Sequence, residues 1–404
     1  MRRVIARGLF LALLMSVAGP AASRAQIQVQ ASVGSPGSQV NLSLFYDDLS
    51  SDGEWFDDPS YGTCWTPYDM SADWRPYYNG HWEYTDYGWT WASDERWGWA
   101  TYHYGRWLFD DSYGWIWVPG NEWAPAWVAW RYSDDWVGWA PLPPMARWDG
   151  SIGLTFSDAN AIPSHDWCFV PQRNLLDVRV YLQVTTIARN VTLLERSRDA
   201  TRYEVREGRP ANLGIDVAQV ERVIQRPVPR VKIVDAAAPA SGRGQARDKS
   251  SVGYYRPKID AAPPEQAAVP RPARDRSAIS DATIQRQRDQ QQRKLDNDLK
   301  TERARLAKEQ QGELRPQAKG PGADEVRKRH AAEQQAFEAH AAQQRKVLDQ
   351  RMQKKIVKPD KTKPADKPAD KPAPDQGKDK GQSQDKGQGQ DKEKDKGNGN
   401  GSGK

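Results

Sequence analysis

The sequence predicts a mainly β, tryptophan-rich repeat domain, followed by a small α+β appendage, two long C-terminal helices and a disordered tail. Three observations carry this prediction. All eighteen tryptophans of the 404-residue chain fall between Trp55 and Trp167. Within that stretch a phrase recurs about every 25 residues: Gly53-Glu54-Trp55 leads to Tyr61-Gly62-Thr63-Cys64-Trp65, Gly80-His81-Trp82 to Tyr87-Gly88-Trp89-Thr90-Trp91, and Gly105-Arg106-Trp107 to Tyr113-Gly114-Trp115-Ile116-Trp117. Charge is divided into blocks. Residues 26–167 hold twenty Asp/Glu against five Arg and no Lys, whereas residues 168–280 carry a net +8 and residues 281–358 a net +7. The formal +6 of the whole chain is what remains of opposed blocks.

Residues 1–25 read as a signal peptide. Arg2, Arg3 and Arg7 form a positive start, Leu9 to Ala18 an apolar run shorter than the roughly twenty residues a membrane span needs, and Ser23-Arg24-Ala25 a cleavage site. The expected location is therefore exported, periplasmic or extracellular, with no transmembrane span. Export makes a disulfide between Cys64 and Cys168 admissible, with two buried thiols as the alternative. The basic blocks contain no nucleic-acid motif, and an exported protein does not meet the genome, so nucleic acid is not an expected partner.

The repeat domain is placed at residues 40–150. Val40, Leu42, Leu44 and Tyr46 alternate with polar or outward positions, which predicts a strand. In the repeats, Gly and Pro recur too often for helices of three turns. The pairs Trp89/Trp91, Trp97/Trp99 and Trp115/Trp117 are spaced two apart, the period of one strand face. Asp57-Asp58, Thr85-Asp86 and Asp110-Asp111-Ser112 sit midway between each Gly-x-Trp and its Tyr-Gly, where a hairpin reverses and Asp favours the turn. A lone hairpin is marginal, so consecutive units are expected to stack. A tryptophan buries roughly 200 Å². With few Leu, Ile, Val or Phe available, most of the rings must be core.

Phe45-Tyr46-Asp47-Asp48-Leu49, Trp74-Arg75-Pro76-Tyr77, Trp97-Gly98-Trp99-Ala100, Tyr102-His103-Tyr104-Gly105-Arg106-Trp107, Trp123-Ala124-Pro125-Ala126-Trp127-Val128 and Gly138-Trp139-Ala140-Pro141 follow one another in the order of a known pattern. Over Phe45 to Pro144 the chain resembles a Trp-rich domain of unknown function, with YXWGXW-like repeats, found in exported proteins of Gram-negative bacteria. The literal Tyr-x-Trp-Gly-x-Trp string is absent, and Thr63-Cys64 replaces a more aromatic pair. The resemblance implies export and an aromatic β domain, and brings no catalytic residue.

The α+β appendage is placed at residues 165–258. Val178, Val180, Leu182 and Val184 alternate as in a strand. Val191 to Leu194 is a short apolar run, Tyr203-Glu204-Val205 approaches a turn at Glu207-Gly208, and Asp216 caps a helix to Ile224. Val228, Val231 and Ile233 mark a last strand and Val252 to Tyr255 an edge strand. A Pro/Ala/Arg linker covers residues 259–280. Asp281 to Leu314 and Asp324 to Val357, within a helical or coiled-coil region at residues 281–357, have helical composition broken by Arg315-Pro316 and Gly320-Pro321-Gly322. Leu295, Leu299 and Leu306 match Phe337, Ala341 and Leu348 in spacing. Glu302 and Gln344 leave that stripe half apolar, so an antiparallel hairpin, weak self-association through the helices and isolated helices all remain open. Residues 358–404 are low-complexity Lys/Asp/Gly/Gln sequence, expected to be disordered.

No nucleophile elbow, Walker loop or His-Glu-x-x-His is present, so no catalytic residue, no metal site and no cofactor is assigned. His81 and His103 beside aromatic phrases read as structural. The pairs Asp47/Asp48, Asp57/Asp58, Asp110/Asp111 and Asp134/Asp135 lie in single turns, where two carboxyls rarely converge as a glycan hydrolase requires. The expected function is that of a non-enzymatic envelope interaction or scaffold protein. Its sharpest version is glycan binding by exposed aromatics at Trp123, Trp127 and Trp130, which follow the last full hairpin. A Pro-rich peptide in an aromatic groove is a rival ligand, and another envelope protein a further partner. The acidic first block and the basic later blocks are also expected to attract one another, within the chain or between copies.

Overall fold

In the computed structural model, which describes residues 42–156, 158–239, 245–246, 250–260, 274–317 and 322–359, the recurring phrase is a hairpin each time it occurs. A helix α1 (Ser43–Leu49) leads to β1 (Gly53–Asp58) and β2 (Gly62–Pro67), then β3 (Gly80–Thr85) and β4 (Gly88–Ser93), a short helix α2 (Gly98–Thr101), and β5 (Arg106–Asp110) and β6 (Gly114–Val118). The turns use the side chains the sequence puts there. Asp58 Oδ1 accepts from the Ser60 and Tyr61 N–H groups at 2.8 and 3.1 Å, and Asp110 Oδ1 from Ser112 and Tyr113 at 2.7 and 2.9 Å. Thr85 Oγ1 accepts from Tyr87 N at 3.0 Å in the middle hairpin.

Register explains the spacing of the phrase. Trp55 stands opposite Trp65, Trp82 opposite Trp91 and Trp107 opposite Trp117. Each second-strand indole lies across the glycine that opens its hairpin. A Cβ on Gly53 would come within 2.3 Å of the Trp65 ring, on Gly80 within 2.7 Å of Trp91, and on Gly105 within 2.8 Å of Trp117 Nε1. The glycine of Gly-x-Trp is thus a steric requirement of the facing ring. A fourth hairpin, β7 (Val128–Tyr132) and β8 (Trp136–Pro141), repeats the arrangement with Trp130 opposite Trp139.

Consecutive hairpins do not simply stack. The first and third join edge to edge in the order β1-β2-β6-β5, through Trp65 and Trp117. β9 (Arg147–Asp149) and β10 (Gly153–Thr155) form a small ribbon. β11 (Cys168–Pro171), helix α3 (Asn190–Glu195) and β12 (Arg198–Asp199) follow, the two strands flanking the fourth hairpin as β11-β8-β7-β12. Beyond them lie β13 (Tyr203–Arg206), β14 (Arg209–Asn212), helix α4 (Val217–Ile224), β15 (Arg230–Asp235), β16 (Gln245–Ala246) and β17 (Ser251–Tyr254). The middle repeat hairpin sits inside a seven-stranded sheet, β13-β14-β4-β3-β15-β17-β16. Parallel pairing of β14 with β4 and of β15 with β3 makes repeat domain and appendage share one sheet.

Several local expectations hold and others are corrected. The turn at Glu207-Gly208 and the Asp216 cap, whose Oδ1 accepts from Ala218 N at 2.8 Å, are as expected. The strand expected over Val40 to Tyr46 is α1 in its described part. Leu42, Phe45 and Leu49 are all buried at helical spacing, and Phe45 packs among Trp99, Tyr104 and Trp117. Trp97 and Trp99 lie at and in α2, not on a strand. The Val178 to Val184 alternation forms a 3-10 turn at Val180–Leu182, with Val180 and Val184 buried and Val178 and Leu182 exposed, so the four apolar positions do not share one face. Val191 to Leu194 is helical. β17 is not an edge strand, since it lies between β15 and β16.

The C-terminal helices are α5 (Asp281–Gln317), which continues through Pro316, and α6 (Ala323–Gln353). At 37 and 31 residues they are the long C-terminal helices expected, beside a tryptophan-rich domain built largely of strands. They form an antiparallel hairpin: Glu313 meets His330, Gln310 meets Glu333, Arg303 meets Glu338 and Arg288 meets Asp349. All described residues fall in one contact unit that ends at Pro359. The expected signal peptide (1–25), most of the linker and all but the start of the tail lie outside the described residues. No helix among the described residues is long and apolar enough to cross a membrane.

Candidate functional site

The predicted aromatic platform is corrected by burial. Seventeen of the eighteen tryptophans are buried and Trp136 is half-buried, with the Arg189 guanidinium 5.4 Å over its ring. Trp123, Trp127 and Trp130 are 5%, 1% and 0% exposed. Later segments cover them. Trp123 lies against His103 and under Arg256, and Trp127 is sandwiched between Tyr203 and the Arg106 guanidinium, 3.6 Å from its centroid. Trp130 donates its indole N–H to Asn212 Oδ1 at 2.9 Å. A ring enclosed on both faces cannot stack on a sugar.

The other singled-out residues are structural. Cys64 packs with Phe56, Ile116 and Val118, while Cys168 lies in β11 beside Tyr77. Both are free, buried thiols pushed up by burial, so the disulfide alternative is not realised. His103 Nδ1 meets Ala124 O at 2.9 Å, and burial lowers its pKa to about 4. His81 Nε2 lies 3.5 Å from Glu83. The side chain of Asn190, which opens the sequon-like Asn190-Val191-Thr192, is buried and donates to Ser164 O and Trp167 O.

A dense polar assembly lies instead where α5 and α6 meet the tryptophan module. The segment before β3 is held from both helices: Ala72 N donates to Asp298 Oδ2 at 3.2 Å and His340 Nε2 contacts Ala72 O at 3.0 Å. Near α3, Ile187 N donates to Glu302 Oε1 at 3.2 Å, and Thr185 and Thr186 each donate to Glu309 at 3.1 Å. Glu333, 1% exposed, accepts from Thr192 and Gln310 at 2.8 Å each. Arg189 pairs with Glu313 and lies 3.8 Å from both Glu309 and Glu333. At the other end Arg351 donates to Thr66 Oγ1 at 2.7 Å and Pro67 O at 2.9 Å, while Lys346 reaches Asp111 at 2.8 Å. Of these contacts only Lys346–Asp111 joins a base of a later block to an acid of the first block; most of the others are made by carboxylates of the helices.

Burial perturbs the seam's titrating groups. Desolvation raises Glu302 to about 7 and lowers His340 and His165 to about 4; Arg351 falls to about 10 and stays charged. Satisfaction is incomplete. Glu302 Oε2, His340 Nδ1, Arg189 Nε, His165 Nε2 and Asp166 Oδ1 are buried without a hydrogen-bond partner, although the last two lie 3.1 Å apart. A cleft of about 100 Å³ opens along the seam between Trp74, Trp115, Asp69 and Asp298. Such a surface binds chain segments by charge and hydrogen bonds. The signal for it in the sequence was the pair Glu302 and Gln344, polar interruptions of an apolar stripe. Glu302 and the half-buried Gln344 both turn toward the module.

Residues 46–146 match the model of a family described as Family of unknown function (DUF6600). The match nearly coincides with the span Phe45 to Pro144 that carries the resemblance. No curated protein and no solved structure matches the chain.

Proposed function

We propose that this is an exported, non-enzymatic scaffold or interaction protein of the cell envelope, working through its folded surfaces rather than an aromatic sugar platform. The observation that carries the reading is the disposition of the rings. Seventeen buried tryptophans build a rigid module, and the polar groups of the chain are used to dock a long helical hairpin on it. Export rests on the pattern of residues 1–25. Subcellular fractionation with in situ cross-linking tests the proposal. The mature chain is expected to start at about Gln26, to be recovered outside the cytoplasm and to enter cross-linked envelope assemblies. Cytosolic material with Met1 intact overturns the export reading. Recovery as an unassembled protein that turns over envelope glycan overturns the scaffold reading in favour of a carboxylate-dependent hydrolase.

A further inference from the structure

We infer that the outer face of α4 and β15 is a docking surface for a bilayer that bears anionic phospholipid headgroups. The sequence supplies the charge: residues 222–234 hold Arg222, Arg226, Arg230 and Lys232 and no Asp or Glu. The fold gathers it. Arg230, Lys232 and Val234 alternate along β15 and are all exposed, while Ile233 is buried on the other face. Glu221 in α4 ties helix to strand, accepting from Val228 N at 3.1 Å and pairing with Arg230 at 3.5 Å. The exposed Arg222, Val223 and Arg226 at the end of α4 are thereby held close to that row. The nearby carboxylates are engaged: Asp216 caps α4, Asp86 accepts from Ile233 N at 3.0 Å, and Asp235 pairs with Arg256. Arg222, Arg226 and Lys232, by contrast, have no ion pair among the described residues. The apolar groups between them select the partner. Val223 and Val234, at 40% and 37% exposure, are two of the seven large hydrophobic side chains that stand exposed among the described residues. Pro227 and Pro229 are exposed beside them. On a bilayer the cations of such a face meet phosphates while the short apolar chains enter the headgroup layer; a soluble acidic partner uses only the charge. The inference deepens the envelope reading by naming the surface the protein holds to, and rests on that reading for the place where such a bilayer is met.

The test measures co-sedimentation of the purified full-length chain with vesicles of phosphatidylcholine, with and without phosphatidylglycerol. Binding is expected only with phosphatidylglycerol, and is expected to fall as salt is raised. Reversal of the unpaired cations, R222E with R226E and K232E, is expected to weaken it by about a hundredfold, since each basic residue at an anionic surface is worth roughly fivefold. A matched reversal on the helical hairpin, R293E with K300E and R345E, changes exposed cations by the same charge and is expected to keep binding within a few-fold. Both variants retain the same termini, so any contribution from those is common to the two, and the near-ultraviolet tryptophan signal shows that each is folded. Val223→Ser with Val234→Ser is expected to weaken vesicle binding several-fold and to leave binding of soluble polyglutamate unchanged. Absence of vesicle binding at low salt, equal losses in the two reversals, or indifference to the two valines each overturns the inference. Capture of polyglutamate by the same cations without vesicle binding assigns the face to an acidic polypeptide and overturns it as well. These outcomes come from purified protein and lipid and leave the fractionation result standing, so failure of the docking face and failure of the envelope reading are told apart.

Discussion

Trp65 in the tryptophan module and Glu302 in the helical seam are both buried, at 0% and 5% exposure, in surroundings that differ in kind. Trp65 meets the rings of Trp97 and Trp107 at 5.2 and 6.2 Å, and its one polar atom donates to Leu49 O at 3.1 Å. The same solution recurs: Trp107 donates to Thr101 O, Trp117 to Tyr104 O and Trp139 to Tyr77 O. These indoles are at once apolar filling and hydrogen-bond ties between loops, each tie contributing about 1 kcal/mol beyond the burial, whereas the indole N–H groups of Trp55, Trp82, Trp91 and Trp123 are buried without a partner. Glu302 has one oxygen paired and one unpaired, and its desolvation is only partly offset. The difference teaches that the module is stabilised chiefly by apolar area, with buried ionisable groups such as Glu95 and His103 set among its rings, while the seam leans mainly on polar partners and their protonation states.

The largest test of that contrast is Trp65→Ala. Loss of a fully enclosed ring is expected to cost about 3–5 kcal/mol, measured by urea unfolding, and to lower the stability of the whole unit. An effect under about 1 kcal/mol would mean that the aromatic cluster is not the module's support.

Next comes Glu333→Ala, which strips the acceptor from Thr192 and Gln310. A loss of about 1–3 kcal/mol is expected, but confined to the seam. Hydrogen exchange should rise in α5, α6 and α3 while the near-ultraviolet tryptophan signal holds. Simultaneous loss of both would erase the distinction between the regions.

The smallest effect concerns pH. Glu302 is raised in the folded state from 4.5 to about 7, so its contribution is fully present below pH 4.5 and is lost as pH rises through 7. His340 is lowered from 6.5 to about 4, so its contribution is present above pH 6.5 and is lost as pH falls through 4. Between about pH 4.5 and 6.5 the two slopes oppose each other. Relative to the unsubstituted chain, Glu302→Gln should make stability climb more steeply with pH, and His340→Gln should make it fall, each by on the order of 1 kcal/mol across the window. Parallel profiles for all three proteins would remove these groups from the seam's energetics.

How much of this was legible follows from distance along the chain. The three repeat hairpins are readable because glycine, turn aspartate and paired tryptophan lie within about 15 residues of one another and constrain each other locally. The fourth hairpin, with its turn at Ser133-Asp134-Asp135, keeps the Trp130–Trp139 pairing without the opening Gly-x-Trp, so the phrase alone does not find it. Its rings are enclosed by the middle repeat, where Trp82 packs on both, and Asn212 adds the acceptor for the Trp130 indole N–H. Phe45 shows the competing case, where two periods fit one short segment and the pocket formed by Trp99, Tyr104 and Trp117 selects the helix.

By itself the sequence determined the aromatic hairpins, the capped helix at Asp216, the two long helices and the opposed charge blocks, because turn chemistry, periodicity and composition act over a few residues. Only the tertiary structure decided that Tyr203, Asn212 and Arg256 close over Trp127, Trp130 and Trp123, that the two thiols stay apart, and that Glu302, Glu333 and His340 face the module rather than water. The exposure of a side chain depends on every segment that can reach it, and in this chain the covering segments arrive tens to more than two hundred residues later.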